Sequence, residues 1–354
     1  MKGAISKRLL ISLIIVFLPV AILLAQVEKT KTVTRTFNVT PDTKLSVTNK
    51  FGEVHIETWD KNVIDLKVTV TAEKRSESAA EEYLDRVDID ISESAGLIEV
   101  ETEISGSINN RSGERLTIDY KISMPKTNDL DIKHSYGSLY LGDVSGHVDL
   151  KMSYGDMRVE TLSGESDVKL SYGNGEMEGM KGGMLSIGYS NLSAENLGNV
   201  ELMSQYSNVE LTSAKILELS NKYGKVEIGE ANTIRGSSKY GNLEVDKLWN
   251  TVVLDLLHGN GVEIDWISKG FDLIDIDASY AGSSLKFEKG FYAELEGYFK
   301  YCDLKYDDED FDFSYVEKGT TSSEYKGRIG TGSGNSKIKL ESSYGSIRIG
   351  YTSR

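Results

Sequence analysis

An aromatic residue followed by a small residue recurs through this chain at a nearly fixed spacing. The steps between successive aromatics are 18, 18, 17, 17, 17 and 17 residues, and Gly or Ser follows each one. A fixed period is typical of repeat architectures, in which each unit buries its apolar side against its neighbours. The seven aromatic residues are Tyr136, Tyr154, Tyr172, Tyr189, Tyr206, Tyr223 and Tyr240.

The apolar residues keep the same register as the aromatics. Counted from each aromatic, they occupy positions −6, −4, +3, +5 and +8 in most units, with polar residues between them. This alternation predicts two short strands per unit, each with one buried face and one solvent-exposed face. The unit around Tyr206 illustrates it with Val200, Leu202, Val209, Leu211 and Ala214.

Two architectures can use this pattern. In a parallel solenoid each repeat is one coil and equivalent residues stack, whereas in an antiparallel meander they lie two strands apart. The same residue type recurs at the same corner of each unit, which favours contact between equivalent side chains of neighbouring units. We therefore expect Tyr154, Tyr172 and Tyr189 on adjacent rungs. The prediction is an all-β fold: a single elongated parallel β-solenoid, a right-handed β-helix with about 17–18 residues per coil.

The start of the chain is typical of an export signal. Lys2, Lys7 and Arg8 precede an apolar segment at residues 9–24, and Ala25 offers a cleavage position. We therefore expect residues 1–25 to be a signal peptide, although an uncleaved anchor stays open as an alternative. Cleavage predicts an exported chain in the periplasm, at the cell surface or outside the cell, with no transmembrane segment in the mature chain.

The remaining chain divides into a less regular and a more regular part. Residues 26–130 are expected to form an N-terminal cap with the first strands of the solenoid, because the repeat begins at Phe51-Gly52 and then breaks. One short helix is predicted at residues 76–87, which are rich in Ala and Glu. Residues 131–354 are expected to form the repeats, with irregular excursions near 303–336. The later corners are His258, Tyr280, Tyr301 and, as the last unit, Tyr344.

Charge and cysteine content exclude several classes of protein. The formal net charge of −15 disfavours nucleic acid and anionic membranes as partners, because both require clustered Lys and Arg. The single cysteine, Cys302, cannot form an internal disulfide and occupies the small-residue position of a corner. Stability must therefore come from packing and from hydrogen bonds between strands.

No group of residues in the sequence predicts catalysis or a cofactor. The four histidines are scattered, and no phosphate loop or nucleophile motif is present. An acidic run at residues 307–312 contains Asp308, Asp310 and Asp312, whose alternation could place three carboxylates on one side of a strand as weak candidate ligands for Ca²⁺. The alternative interpretation is a solvated acidic edge that discourages aggregation.

Two segments resemble a known family. They are LSVTNKFGEVHIETW at residues 45–59 and LTIDYKISMPKTNDLDI at residues 116–132, and short strands with Gly at their corners follow them. Together they are similar to the bacterial putative-adhesin family of exported β-helical repeat proteins, of the head-GIN and related uncharacterised β-repeat type. The resemblance implies an exported, mainly right-handed β-helical envelope protein, and it carries no catalytic residues over.

These observations favour a non-enzymatic, exported adhesin-like or scaffold protein of the bacterial cell envelope. Its partner would be an envelope protein or glycan, and the seven repeated tyrosines are the candidate binding face. The same tyrosines could instead only stiffen the corner. Two other functions stay open: a carbohydrate-active β-helix enzyme that uses acidic residues, and a periplasmic sensor or regulatory partner in envelope stress.

Overall fold

A computed structural model of the chain describes residues 26–108, 113–306, 310–331 and 333–352. The predicted signal peptide at residues 1–25 lies outside the described residues. Within the described ranges the chain forms one helix, α1 (Glu77–Asp85), and twenty strands. The strands are β1 (Val27–Asn38), β2 (Lys44–Trp59), β3 (Val63–Lys74), β4 (Val87–Ser94), β5 (Leu97–Ile104), β6 (Arg115–Pro125), β7 (Asp129–Leu141), β8 (Val148–Ser171), β9 (Asn174–Gly188), β10 (Asn191–Gln205), β11 (Asn208–Lys222), β12 (Lys225–Lys239), β13 (Asn242–Ile267), β14 (Leu273–Phe287), β15 (Tyr292–Lys300), β16 (Leu304–Lys305), β17 (Phe311–Lys318), β18 (Ser322–Gly330), β19 (Ser336–Ser343) and β20 (Ile347–Tyr351).

The repeats form a parallel β-solenoid, as the sequence predicts. Strands β7 to β14 pair in chain order, each parallel to the next. The register joins equivalent positions of neighbouring repeats, so that Leu192 lies opposite Gly175 on one side and Val209 on the other. One repeat is therefore one coil, and the antiparallel meander is excluded.

The core runs through the centre of the coils. In the seven repeats around the predicted tyrosines, every apolar side chain at positions −6, −4, +3, +5 and +8 is at most 5% exposed. Outward positions between them carry mainly polar side chains. The alternation of a half-buried strand thus specifies which face of each coil is buried.

The first coil is separated from the second by an inserted cap. Strand β2 pairs directly with β7, although about seventy residues of chain lie between them. The other side of β2 pairs with β5 and β6, and antiparallel pairing then continues to β3, β1 and β4. Helix α1 begins after Ser76, whose side chain accepts a hydrogen bond from the Ala79 N–H, a standard N-cap.

The last coils stack in an order that differs from their order in the sequence. The sequence suggests that the Tyr344 coil is the last, but β19 and β20 lie between β14 on one side and β15 and β16 on the other. The Tyr301 coil is therefore the terminal one. The reason is that β18 covers the outer edge of β15 by antiparallel pairing, so that the inner edge of β15 remains for the C-terminal strands.

The segment near 303–336 is more regular than the sequence suggests. Strands β17 and β18 form an antiparallel hairpin with a register shift between Phe313 and Tyr315. Most of β17 is exposed on both faces, which explains why its sequence lacks a clear alternation. The hairpin closes the C-terminal end of the stack much as the antiparallel cap closes the N-terminal end.

Helices contribute little to this architecture. Over the described ranges the chain contains no helix that is long and apolar enough to cross a membrane.

Candidate functional site

The aromatic corners share one unusual backbone conformation. Among the described residues, twelve aromatic side chains have φ between 52° and 64°, which is the left-handed region that residues other than glycine rarely occupy. They are Phe51, Tyr136, Tyr154, Tyr172, Tyr189, Tyr206, Tyr223, Tyr240, His258, Tyr280, Tyr301 and Tyr344. The left-handed residue turns each coil and directs the ring outward at every repeat.

These rings form one continuous stack, which we call the corner column. Successive ring centroids are 4.6–5.5 Å apart, with interplanar angles of 2–22°. Tyr154, Tyr172 and Tyr189 are neighbours in it, as the sequence predicts. At its C-terminal end Tyr344 stacks between Tyr280 and Tyr301, which again shows the exchanged order of the last coils.

Stacking determines what the corner column offers to a ligand. Each inner ring has both faces against neighbouring rings, so a ligand meets ring edges and hydroxyl groups rather than ring faces. The column tyrosines remain 45–52% exposed. The exposed feature is therefore a row of phenol hydroxyls that repeats at the coil spacing.

Close packing explains the small residue after most of the aromatics. A Cβ atom added at Gly155 would lie 1.7 Å from the carbonyl oxygen of Gly137 in the preceding coil. Two coils have serine instead of glycine at this position. Ser190 Oγ donates a hydrogen bond to the Gly188 carbonyl, and Ser207 Oγ donates one to the Gln205 carbonyl. Both serine side chains are buried.

A ladder of asparagine side chains runs beside the corner column, two residues after the tyrosines. Asn208 Nδ2 donates to Asn191 Oδ1 at 3.2 Å, Asn191 Nδ2 donates to Asn174 Oδ1 at 3.1 Å, and Asn174 Nδ2 donates to Asp156 Oδ1 at 2.9 Å. Each ladder amide keeps a second N–H and a second lone pair for the outside. The ladder thus repeats neutral donors and acceptors at the coil spacing.

The asparagines line a shallow groove, which we call the ladder groove. Its two adjoining stretches have volumes of about 520 and 390 Å³ and share Asn174 and Glu176. Acidic side chains form its far wall, including Glu210 and Glu227. Lys225 interrupts the ladder, and its hydrogen bonds to Glu227 and Glu244 raise its pKa above the usual value.

The structure describes only part of the acidic run that the sequence offers as a candidate Ca²⁺ site. Asp308 lies outside the described residues, Asp310 Oδ2 accepts a hydrogen bond from Tyr351 at 2.6 Å, and Asp312 lies opposite Arg328. Within the described ranges, no group of three His, Cys, Asp or Glu residues is placed to hold a metal ion.

One carboxyl group outside the predicted sites is electrostatically unusual. Burial, together with the neighbouring Asp255 and Asp275, raises the pKa of Asp277 above the usual range. Asp255 and Asp277 are in register on adjacent strands. Like charges held close together separate the pKa values of two carboxyl groups, which is an arrangement typical of acid–base sites.

Two histidines and the single cysteine lie at or beneath the corners of the coils. His258 stacks in the corner column between Tyr240 and Tyr280, at 4.9 and 5.0 Å. His134 is buried beneath the corner with its ring nitrogens 3.3 and 3.1 Å from the carbonyl oxygens of Asn49 and Gly52. Cys302 Sγ is 3.4 Å from the carbonyl oxygens of Lys300 and Ser342.

The sequence predicts all twelve aromatic corners, but it did not lead to two other features of this surface: the asparagine ladder and the stacking order of the last coils. The asparagine ladder is visible in the sequence, because Asn174, Asn191 and Asn208 recur with the same spacing as the tyrosines. The stacking order of the last coils has no such signal, since it depends on pairing between distant strands.

Of three comparisons with known proteins, only the one with solved structures finds proteins similar to this chain. No protein-family model matches the sequence, and no curated protein matches it significantly. One similar structure is a putative adhesin from Bacteroides fragilis, with 12% identity over 90% of this chain and 97% of that chain and a TM-score of 0.29. A putative adhesin from Parabacteroides merdae has 11% identity over 72% and 95% of the two chains, with a TM-score of 0.33.

A third similar structure is named differently. It is a putative lipid binding protein from Parabacteroides distasonis, with 12% identity over 90% of this chain and 96% of that chain and a TM-score of 0.28. The adhesin names agree with the family resemblance of residues 45–59 and 116–132. At these TM-scores the likeness carries no argument about ligand or activity, which have to be argued from the surface itself.

Proposed function

We propose that this chain is a non-enzymatic, exported binding protein of the bacterial cell envelope that holds a linear envelope polymer along the corner column and the ladder groove. The observation that supports it best is the continuous row of tyrosine edges beside a row of asparagine amides, both repeating at the coil spacing. A ligand that repeats along its own length can use such a surface many times over.

A glycan fits this surface better than an apolar partner. The ring faces are covered by stacking, so the column offers hydroxyls and ring edges, and the ladder offers neutral donors and acceptors. A chain of sugar hydroxyls can pair with both rows. An extended protein segment is the alternative occupant, and the experiment below separates the two.

The export half of the proposal is supported by the sequence at residues 1–25 and by the family resemblance. The test is the cellular location of the full-length chain: we expect it in the envelope or the medium, with residues 1–25 removed. Recovery in the cytoplasm with residues 1–25 intact would contradict it.

The binding half is tested by removing hydroxyls without disturbing the stack. The triple variant Tyr189→Phe, Tyr206→Phe, Tyr223→Phe keeps every ring and deletes three exposed hydroxyls. Since a hydrogen bond contributes about 0.5–1.5 kcal/mol, we expect its affinity for the polysaccharide fraction of envelope extracts to fall at least about tenfold. The matched control deletes three hydroxyls on another face, with Ser186→Ala, Ser220→Ala, Ser237→Ala, and should bind normally.

The same preparation tests the alternatives. Retention of protein after the glycans have been digested would favour an extended protein partner. Equal loss of binding in both triple variants would contradict the assignment of the face. Turnover of any polysaccharide in a panel, if lost in Asp277→Asn, would contradict the non-enzymatic proposal and support the carbohydrate-active alternative.

A further inference from the structure

A small pocket at the C-terminal end of the stack differs in charge from the rest of the surface. It has a volume of about 270 Å³ and lies on the same side of the coils as the ladder groove, several coils further along. We call it the terminal pocket, and the residues that define it here are Glu263, Ser283, Ser284, Lys305, Ser346 and Arg348.

Two cations of this pocket are placed side by side. Arg348 of β20 is in register with Lys305 of β16 on one side and with Ser284 of β14 on the other. Like charges directly opposite each other on paired strands destabilise a sheet. Among the described residues neither side chain makes an ion pair, so this part of the structure does not compensate their repulsion.

Three other cations on the same side of the solenoid have acidic neighbours. Arg158 lies within 4.0 Å of Glu176, Lys225 pairs with Glu244 at 2.8 Å, and Lys286 pairs with Asp265 at 2.6 Å. Lys286 also reaches Glu263 at 3.3 Å, so the one acid of the terminal pocket already has a cation. Among the described residues the pocket therefore has an excess of positive charge, on a chain whose formal net charge is −15.

A polar residue stands at a core position beneath this pocket. Ser283 is at position +3 of its coil, where the neighbouring coils have Val262 and Ile347 in register. Its side chain is 8% exposed, and its Oγ has no hydrogen-bond partner among the described residues. A buried hydroxyl without a partner costs free energy, and such breaks in an otherwise regular pattern occur mainly at functional sites.

From these observations we propose that the terminal pocket binds an oxyanion, a phosphate or sulfate group, between Arg348, Lys305 and the hydroxyls of Ser284 and Ser346. The guanidinium and ammonium groups supply the charge, and the serines supply neutral donors. The site lies on other coils than the ladder groove, and anion binding there does not depend on the polymer. The oxyanion can be a free ion or a group carried on a sugar.

The test is a titration followed by backbone NMR of Ser283, Ser284 and Ser346 at constant ionic strength. The probes are inorganic phosphate, inorganic sulfate, glucose 6-phosphate and, as the neutral match, glucose. We expect saturable shifts with the anions and none with glucose. Tighter binding of glucose 6-phosphate than of phosphate would identify a sugar-borne group, and the reverse a free ion.

Variants make the test specific. Arg348→Gln should weaken anion binding at least tenfold, and Ser284→Ala by roughly two- to tenfold. Lys339→Gln removes one exposed charge from the same coil on another face and should bind like the original chain. The proposal is overturned if no saturable shift occurs, if glucose acts like glucose 6-phosphate, or if Arg348→Gln and Lys339→Gln bind equally. Binding of envelope polysaccharide by Arg348→Gln should be unchanged, which separates this site from the corner column.

Discussion

At the scale of single residues, the corner column combines two opposing contributions to stability. A residue other than glycine in the left-handed region costs about 1–2 kcal/mol, and this cost recurs at each aromatic corner. Each inner ring stacks on two neighbours, and an aromatic pair contributes about 0.5–1.5 kcal/mol beyond the area it buries. Stacking therefore offsets the backbone cost only while the neighbouring rings are present.

Substitutions at Tyr206, which stacks at 4.9 Å on Tyr189 and 4.8 Å on Tyr223, should reveal both contributions. Tyr206→Phe should leave the free energy of unfolding nearly unchanged. Tyr206→Ala should lower it by about 1–3 kcal/mol, because two stacking contacts are lost. Tyr206→Gly should be about 1 kcal/mol more stable than Tyr206→Ala, since glycine adopts the left-handed conformation freely. Denaturant unfolding measures all three, and an alanine variant at least as stable as the glycine variant would contradict the account.

His134 should make the stability of the chain depend on pH. Burial lowers the pKa of His134 below its usual value of 6.5, although hydrogen bonds to backbone groups of Asn49, Gly52 and Ser138 oppose the shift. The unfolded chain then binds a proton more readily than the folded one. Stability is therefore present above about pH 6.5 and is lost as the pH falls below it, by roughly 1.4 kcal/mol per pH unit until the folded pKa is reached.

The contribution of His134 can be isolated by replacing it with the residue that the next coil has at the equivalent position. Met152 occupies the equivalent position of the next coil, so His134→Met should fit and should remove this part of the acid destabilisation. His147→Gln, at an exposed site, should leave it in place. Urea unfolding between pH 7.5 and 5.5 compares the three chains, and equal slopes in all of them would show that His134 is not responsible.

At the scale of strands, the exchanged order of the last coils places β19 and β20 inside the stack. Strand β19 has partners on both sides, β14 and β15. A terminal strand with one partner usually frays, whereas a strand paired on both sides opens only with the surrounding sheet. Strands β19 and β20 should therefore hold the terminal coil and its hairpin in place.

Leu340 of β19 tests this arrangement. Its side chain is 1% exposed between Ile276 and Gly297, and Leu202, buried in the middle of the stack, is the matched control. Both Leu340→Ala and Leu202→Ala should lower the free energy of unfolding by about 2–5 kcal/mol. A loss far below 1 kcal/mol for Leu340→Ala alone, with rapid amide exchange along β19, would indicate a frayed end instead.

The period of the sequence is sufficient to predict the coil but not the connections between distant coils. The alternation of apolar and polar residues predicts the buried positions of Leu202 and Val209. The recurrence of the aromatic predicts that Tyr154 lies at a corner. The pairing of β2 with β7 and of β14 with β19 depends on contacts across long separations, which no local pattern records. Ser283 is a different case, because its polar side chain at a core position is visible in the sequence but becomes informative only when its neighbours are known.

At the scale of the whole molecule, the solenoid is a rod with two closed ends and one long repetitive face. Twelve coils at the strand spacing make the corner column roughly 50 Å long within the described part of the chain. Antiparallel strands cover both ends of the stack, which limits growth of the sheet by addition of further copies. A polymer that runs along the rod can contact many coils, while the terminal pocket contacts one group.

The most direct test of the proposed function is the chemical protection of the column tyrosines. The protein is nitrated with and without the polysaccharide fraction of envelope extracts, and modification is quantified for each tyrosine. Tyr298 is the internal control, because it is 47% exposed and lies away from the corner column. The account predicts that Tyr172, Tyr189 and Tyr206 become protected several-fold while Tyr298 reacts as before. Equal reactivity of all four tyrosines with and without the fraction would contradict it.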